Sequence, residues 1–209
     1  MFTSTQPLVL ASASPRRREL LASLVPADGF IVRPPANFVE PECPPAASLA
    51  EVASFAQTLA SAKADAAASE FGSEHPILAA DTIVVADGEP PQIMEKPPED
   101  DRYERTVVSW LSDLAGRSHH VFSGLTLLSG GQRFEAVAVA EVTFDADAAE
   151  AARWYAGTGE PRGKAGGYAI QGLGSAFVTG LRGEFTTVVG LPLLATRRLL
   201  RGAGFATLW

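Results

Sequence analysis

At 209 residues and 21.9 kDa the chain is long enough to bury one sizeable core, or two lobes that share one, and 46% hydrophobic against 20% charged residues fits a globular protein. A formal charge of -7 excludes a nucleic-acid polymer or an anionic membrane surface as the main partner, but not a small anion held in a local cationic pocket. The single Cys43 excludes an internal disulfide and a multi-cysteine metal centre, no apolar run approaches the roughly 20 residues of a membrane span, and Met1-Phe2-Thr3-Ser4 lacks the basic flank of a signal peptide, so the expected location is the reducing cytoplasm.

Leu8 to Ser12 is a short apolar strand, and Pro15 opens a helix with Leu20, Leu21 and Leu24 on one face. Phe30 to Arg33 is a second strand, followed by a proline-rich loop over 34–47 that carries Glu40, Glu42 and Cys43. Ser48-Leu49-Ala50-Glu51 matches a capping box and starts a long alanine-rich helix to about Phe71, with Leu49, Val52, Ala56 and Leu59 as its apolar stripe. Ile77 to Val85 is a nearly continuous apolar strand ending at Asp87-Gly88. A second proline-rich loop runs through Glu95-Lys96-Pro97-Pro98 into a helix from about Asp100 to Leu114. Val121 to Leu128 and Arg133 to Phe144 form a hairpin about Ser129-Gly130-Gly131. Asp145 is placed to cap a helix over 148–155. Seven of the nineteen glycines fall between Gly157 and Gly174, which points to backbone approaching a ligand. Ala176 to Leu181 is a last strand, and Pro192 starts a terminal helix. Strands and helices alternate with one hairpin, which is an α/β class with a mixed sheet and no linker between independent domains.

Several charges stand where a bland element would not hold them. Ser12-Ala13-Ser14-Pro15-Arg16-Arg17-Arg18 puts three cations in a first helical turn, whose dipole favours acids. Either an anion sits there on backbone N-H groups, serine hydroxyls and guanidinium forks, or the cations form a solvated patch partnered by Glu19. Arg17 precedes Leu20, Leu21 and Leu24 by helical spacings and so projects from the inward face. Only three of the seventeen cations are lysines. Lys63 lies four residues after Leu59, on the apolar stripe of its helix, where it either snorkels to the edge or meets an anion in a cleft. Lys96 and Lys164 lie in irregular segments beside Glu95 and within the glycine-rich stretch. Asp81 interrupts Ile77-Leu78-Ala79-Ala80 and Ile83-Val84-Val85, and an ionised carboxylate in such a strand needs a metal, a cation or a hydrogen-bond donor. Such an acid is a natural general base, or else a structural partner of a nearby Arg. His119 and His120 are adjacent and point to opposite faces of a strand, which speaks against a shared metal. Neither a Walker A loop nor a dinucleotide fingerprint is present, so phosphate chemistry here needs carboxylates holding Mg²⁺ and cations neutralising the phosphates.

Leu10-Ala11-Ser12-Ala13-Ser14-Pro15-Arg16-Arg17, Ala80-Asp81-Thr82, Glu95-Lys96-Pro97, Leu114-Ala115-Gly116-Arg117-Ser118-His119, Lys164 to Gly172 and Val189-Gly190-Leu191-Pro192 together closely resemble the Maf family of nucleoside triphosphate pyrophosphatases, from about Leu8 to Leu200. The resemblance implies a single domain over 1–209 with two lobes around a central cleft, a mixed twisted sheet flanked by helices, kinship to inosine triphosphate pyrophosphatases, and a homodimer. It implies hydrolysis of a nucleoside triphosphate to the monophosphate and pyrophosphate with a divalent cation, Mg²⁺ or Mn²⁺. Asp81 matches the family's proton acceptor, and Ser12, Arg17, Lys63 and Lys96 its phosphate-side residues. Lys164 belongs to the same motif set, and Glu40 matches an acidic position beside the metal, which Asp81 would share. The positions that divide the family by substrate read Arg16, Thr82 and Gln171, as in the dTTP and UTP pyrophosphatase branch. The 7-methyl-GTP branch carries Trp, Gln and Glu there. A nucleotide-binding regulator of septum formation without turnover is the alternative from another class. Two departures stand out: Gly163 replaces the family's usual Asp, and Glu89-Pro90-Pro91-Gln92 lengthens the approach to Glu95.

Overall fold

The computed structural model describes residues 6–36, 38–42, 48–72 and 74–208. Cys43 and Met1-Phe2-Thr3-Ser4, which carry two of the expectations above, lie outside the described residues. The elements run β1 (Leu8–Leu10), α1 (Pro15–Ala22), β2 (Phe30–Val32), α2 (Leu49–Phe71), β3 (Ile77–Ala86), β4 (Gln92–Met94), α3 (Tyr103–Leu114), β5 (Ser118–Ser129), β6 (Gln132–Phe144), α4 (Ala148–Gly157), β7 (Val178–Gly183), α5 (Phe185–Val189) and α6 (Leu193–Gly202). The class is α/β with a mixed sheet, as expected.

Seven strands form one sheet in the order β2-β1-β3-β5-β6-β7, with β4 also on β3. β1 runs parallel to β2 and β3, and every other pairing is antiparallel. One edge of β3 is paired with β5 along its whole length, from Ile77 to Ala86. The other edge is shared. β1 pairs with Ile77 and Leu78 at its start, and β4 with Val84 to Ala86 at its end. Residues 79–83 therefore face a split in the sheet, and Asp81 and Thr82 lie in it. Ligands of open α/β sheets bind where the carboxyl end of one strand parts from its neighbour, because loop and helix N-termini converge there.

Local sequence accounts for the walls of the split. Ser14 caps α1, its hydroxyl accepting from Arg17 N at 3.4 Å, with Pro15 in the first turn. Ser48 caps α2 in the same way through Glu51 N at 3.3 Å. The inward stripe of α2 is Val52, Ala56, Leu59, Ala60, Ala64 and Ala67, small enough for the helix to lie close on β5. A Cβ on Gly124 of β5 would stand 2.2 Å from the Ala56 carbonyl oxygen, so only glycine fits beneath the helix. Gly130 and Gly131, with φ of 58° and 73°, make the two-residue β5–β6 turn that needs positive φ at both positions.

The core gathers on both sides of the split. Leu8, Leu10, Leu21, Leu24, Leu199 and Leu200 pack β1, α1 and α6 at one end of the long strands, while Met94, Val107, Leu111, Phe144, Tyr155 and Phe177 pack β4, α3 and α4 at the other.

Three boundaries differ from expectation for local reasons. α3 begins at Tyr103, because the Asp100 carboxylate turns back onto Arg102 N and its guanidinium. Asp145 accepts from Asp147 N at 2.9 Å, so it shapes the approach to α4 and does not cap it; Asp147 holds the cap position without a side-chain bond. The last strand starts at Val178, since Leu173–Phe177 wind into a 3-10 turn. β4 and α5, three and five residues long, fall below what periodicity can reveal.

Candidate active site

The split opens into a cavity of about 960 Å³, at the large end of the roughly 300–1,000 Å³ typical of small-molecule sites. Ser12, Arg16, Arg17, Glu40, Lys63, Asp81, Thr82, Lys96, Lys164 and Gln171 all line it. Residues nominated singly from six segments of chain thus face one space.

Asp81 and Thr82 occupy successive positions of β3 and point to opposite faces of the sheet, as strand alternation requires. On the α2 side, Lys63 Nζ donates to Asp81 Oδ1 at 2.5 Å, with side chains only 13% and 11% exposed. The ammonium also lies 5.0 Å from the centroid of the Phe38 ring. Of the two readings of Lys63, it meets an anion in the cleft, and that anion is a carboxylate of this chain. Asp81 is partnered by a lysine, not an arginine. No hydrogen bond from the described residues reaches its Oδ2.

On the other face Arg17 ties three segments together. Its Nε donates to the Gly190 carbonyl at 2.8 Å, Nη1 to Ser12 Oγ at 3.3 Å and Nη2 to Thr82 Oγ1 at 3.2 Å. Thr82 is fixed in turn by Ser123 Oγ at 2.8 Å. Burial lowers the Arg17 pKa from its usual value and repulsion from Arg16 adds to it, while the attraction of Asp81 and Glu40 opposes both, yet a guanidinium remains charged at any working pH. Three of its five N-H groups are used by the described residues, and the other two can serve a ligand. No ion pair joins Arg16, Arg17 or Arg18 to Glu19 among the described residues, so a patch partnered by Glu19 is not what forms.

The third wall is the glycine-rich segment. Burial lowers the Lys164 pKa below its usual value, Arg16 lowers it further, and Glu160 opposes both. Lys164 Nζ donates to the Glu160 carbonyl. Gln171 is exposed at the cavity rim and Tyr168 is buried behind it. His119 Nε2 lies 2.8 Å from the Tyr168 hydroxyl, inside the core and away from His120, whose ring meets Asp87 at 2.8 Å. The two histidines do point apart.

Among residues lining the cavity, Arg16, Arg17, Lys63, Lys96, Arg162 and Lys164 outnumber Glu40, Glu42, Asp81 and Glu95. The local charge is therefore cationic in a chain of net charge -7, and the space suits a polyanion with few atoms. No three His, Cys, Asp or Glu side chains converge as a self-sufficient metal centre among the described residues. Asp81 and Glu40 still offer two hard oxygen donors to one cavity. That donor set fits Mg²⁺ or Mn²⁺, which are commonly held by one or two carboxylates, with phosphate oxygens and water completing the shell.

Arg162, Tyr168 and Gly190 line the cavity without having been nominated as site residues. Gly190 contributes a carbonyl, which no side-chain pattern can announce. Arg162 stacks on the Tyr103 ring, 3.9 Å from its centroid, a contact between segments far apart in sequence. Of the two departures noted above, Gly163 lines the cavity, while residues 89–91 lead into β4, which starts at Gln92, and none of these four lines it.

Comparison with known proteins identifies a family. A family model described as Maf-like protein matches residues 7–203. A dTTP/UTP pyrophosphatase of Methylococcus capsulatus is 42% identical over 96% of this chain and 92% of its own length. A dTTP/UTP pyrophosphatase of Thermus thermophilus is 39% identical over 98% and 99%. Among solved structures a HAM1 protein from Coxiella burnetii is similar at a TM-score of 0.37 and 17% identity, over 68% of this chain and 74% of that one, too remote a likeness to bear on the site.

Proposed function

The chain belongs to the Maf-like protein family, and from that premise we propose that it is a nucleoside triphosphate pyrophosphatase that hydrolyses dTTP and UTP to the monophosphate and pyrophosphate. The observation that carries the reading is the Lys63–Asp81 pair at the sheet split, inside a cavity where cations outnumber acids. The names of the relatives at 42% and 39% identity support the choice of substrate.

Water attacks the α-phosphorus, the bond from that phosphorus to the bridging oxygen breaks, and pyrophosphate leaves with the electron pair. Asp81 accepts the proton of the attacking water at Oδ2, which no described residue bonds, while Lys63 holds Oδ1 and orients the carboxylate. The spare N-H groups of Arg17, with Lys63 and Lys96, offset charge that builds on the leaving group. Arg16 and Lys164 present like charges to one region of the cavity, which an anion relieves. Glu40 and Asp81 would hold a divalent cation, Mg²⁺ or Mn²⁺, which supplies charge neutralisation and orientation of the phosphates. Gln171 offers a donor and an acceptor to the 2,4-dione edge that thymine and uracil share.

The same reading has residues 1–209 acting as one two-lobed domain, as a homodimer, on free nucleotides in the cytoplasm. No helix of the described residues is long and apolar enough to cross a membrane. Pyrophosphate release from dTTP, UTP and 7-methyl-GTP, each with Mg²⁺ or Mn²⁺ and with a chelator, tests the proposal. Turnover of dTTP and UTP that the chelator abolishes is the expected result. Preference for 7-methyl-GTP, or binding without turnover, overturns it.

A further inference from the structure

Gln171 projects from a short loop whose two ends are fastened by one pair of side chains outside the cavity. Tyr155, fully buried on α4, accepts from Ala169 N at 3.0 Å through its hydroxyl and donates that hydroxyl to Glu160 Oε2 at 2.6 Å. The Glu160 carboxylate then accepts from Leu173 N at 2.9 Å and Gly174 N at 3.0 Å. Thus the N-terminal flank of Gln171 hangs on the phenol and the C-terminal flank on the carboxylate, and neither Tyr155 nor Glu160 lines the cavity.

The sequence around the loop is shaped to this pair. A Cβ on Gly172 would stand 2.0 Å from Glu160 Oε1, and one on Gly174 would stand 2.8 Å from the Tyr155 hydroxyl. Gly172 thus leaves room for the Glu160 carboxylate, and Gly174 for the Tyr155 hydroxyl together with the Ala169 carbonyl, which would stand equally close to a Cβ. The protonation states suit the arrangement. Burial, then the bond to Glu160, raises the Tyr155 pKa far above its usual value. Burial pushes the Glu160 carboxyl up, but the bonds from Tyr155, Gly174 and Leu173 outweigh it and hold the group below the usual carboxylate range. The phenol stays a donor and the carboxylate an acceptor throughout the neutral range.

We propose that Tyr155 and Glu160 are positioning residues for base selection: they hold the 169–174 loop so that the Gln171 amide meets the pyrimidine edge in one orientation. This rests on the pyrophosphatase reading and on Gln171 as the base contact. Without the pair the loop keeps its chain path but not its register, so binding of the correct base weakens while the phosphate chemistry at Asp81 is untouched.

The test compares Tyr155→Phe, Glu160→Gln and Gln171→Ala with the parent enzyme on dTTP and dCTP, which differ in the groups on the base edge. Tyr155→Phe removes a buried hydroxyl that serves two partners, and Glu160→Gln replaces a charged acceptor, so each is expected to raise KM for dTTP about tenfold with kcat changed less than about twofold. The preference for dTTP over dCTP should fall by a similar factor, and amide exchange at Ala169, Leu173 and Gly174 should quicken. Glu160→Gln, at a half-buried site, serves if Tyr155→Phe does not fold. If both variants lose dTTP and dCTP turnover equally through kcat, or keep the parent preference while Gln171→Ala loses it, the positioning role is wrong. If Gln171→Ala itself leaves the preference intact, the base-contact reading fails and this proposal with it, whereas absence of turnover in the parent enzyme refutes the pyrophosphatase reading separately.

Discussion

Lys63 Nζ lies 2.5 Å from Asp81 Oδ1 and thereby joins helix α2 to the one stretch of β3 that has lost a strand neighbour. Both side chains are nearly buried, so the pair is screened far less than a surface ion pair. Removing either partner leaves the other charge without compensation. Asp81→Asn keeps the shape and one acceptor but removes the proposed base. Turnover of dTTP is expected to fall by about a thousandfold, with a stability loss of about 1–3 kcal/mol read from urea melts. Lys63→Met together with Asp81→Asn should cost less stability than the sum of the singles.

Arg17 is the second residue on which the proposed mechanism places activity. Its fork meets Gly190, Ser12 and Thr82 at once, and a lysine ammonium on a flexible stem cannot satisfy the three in that geometry. Arg17→Lys should therefore behave almost as badly as Arg17→Ala, each losing at least about tenfold in kcat/KM. Near-parent activity of Arg17→Lys in steady-state assays would show that only the charge matters.

Gly124 is the register partner of Asp81 across β3 and β5, and its missing side chain is what lets Ala56 of α2 sit close. Gly124→Ala has to push back helix backbone, not a flexible side-chain tip. The expected cost is about 1–3 kcal/mol or more, accompanied by lost turnover because Lys63 moves with α2. A thermal melt and a dTTP assay on the same sample check both effects.

His119 sets a pH limit on the fold. Burial lowers its pKa from 6.5 to about 4, Asp87 opposing and His120 adding slightly. A histidine whose folded pKa is depressed favours the unfolded state once protons become available. Stability is therefore full above about pH 6.5 and declines as pH falls toward about 4, by about 3 kcal/mol over that window. His119→Gln removes the titration, so its urea midpoint should fall less steeply across that interval than the parent's.

Much of this was legible from residues alone, for physical reasons that differ by element. The capped helix α2 and the hairpin at Gly130-Gly131 are local events, with side-chain caps and positive-φ glycines written next to the elements they delimit. Asp81 and Lys63 were conspicuous because charge on an apolar pattern costs free energy unless something meets it. Their meeting each other was not legible, since eighteen residues and a helix-to-strand reversal separate them. Thr82 illustrates the opposite limit. The family resemblance marks it as a substrate-selecting position, whereas its hydroxyl lies against Arg17 and Ser123, long-range partners that no spacing displays. The Tyr155–Glu160 pair is hidden for the same reason: glycines at 172 and 174 signal open space, and only the folded chain brings the carboxylate and phenol into it.

On the proposed mechanism this cleft directs water to the α-phosphorus of dTTP, with Asp81 as the acceptor of its proton. Hydrolysis in ¹⁸O-labelled water, followed by mass spectrometry of both products for the parent chain and for Asp81→Asn, tests it most directly. Attack at the α-phosphorus with Asp81 as base gives equal amounts of dTMP and pyrophosphate, label confined to dTMP, and loss of turnover in the variant. Label in pyrophosphate, release of dTDP with inorganic phosphate, or full activity of Asp81→Asn would contradict it.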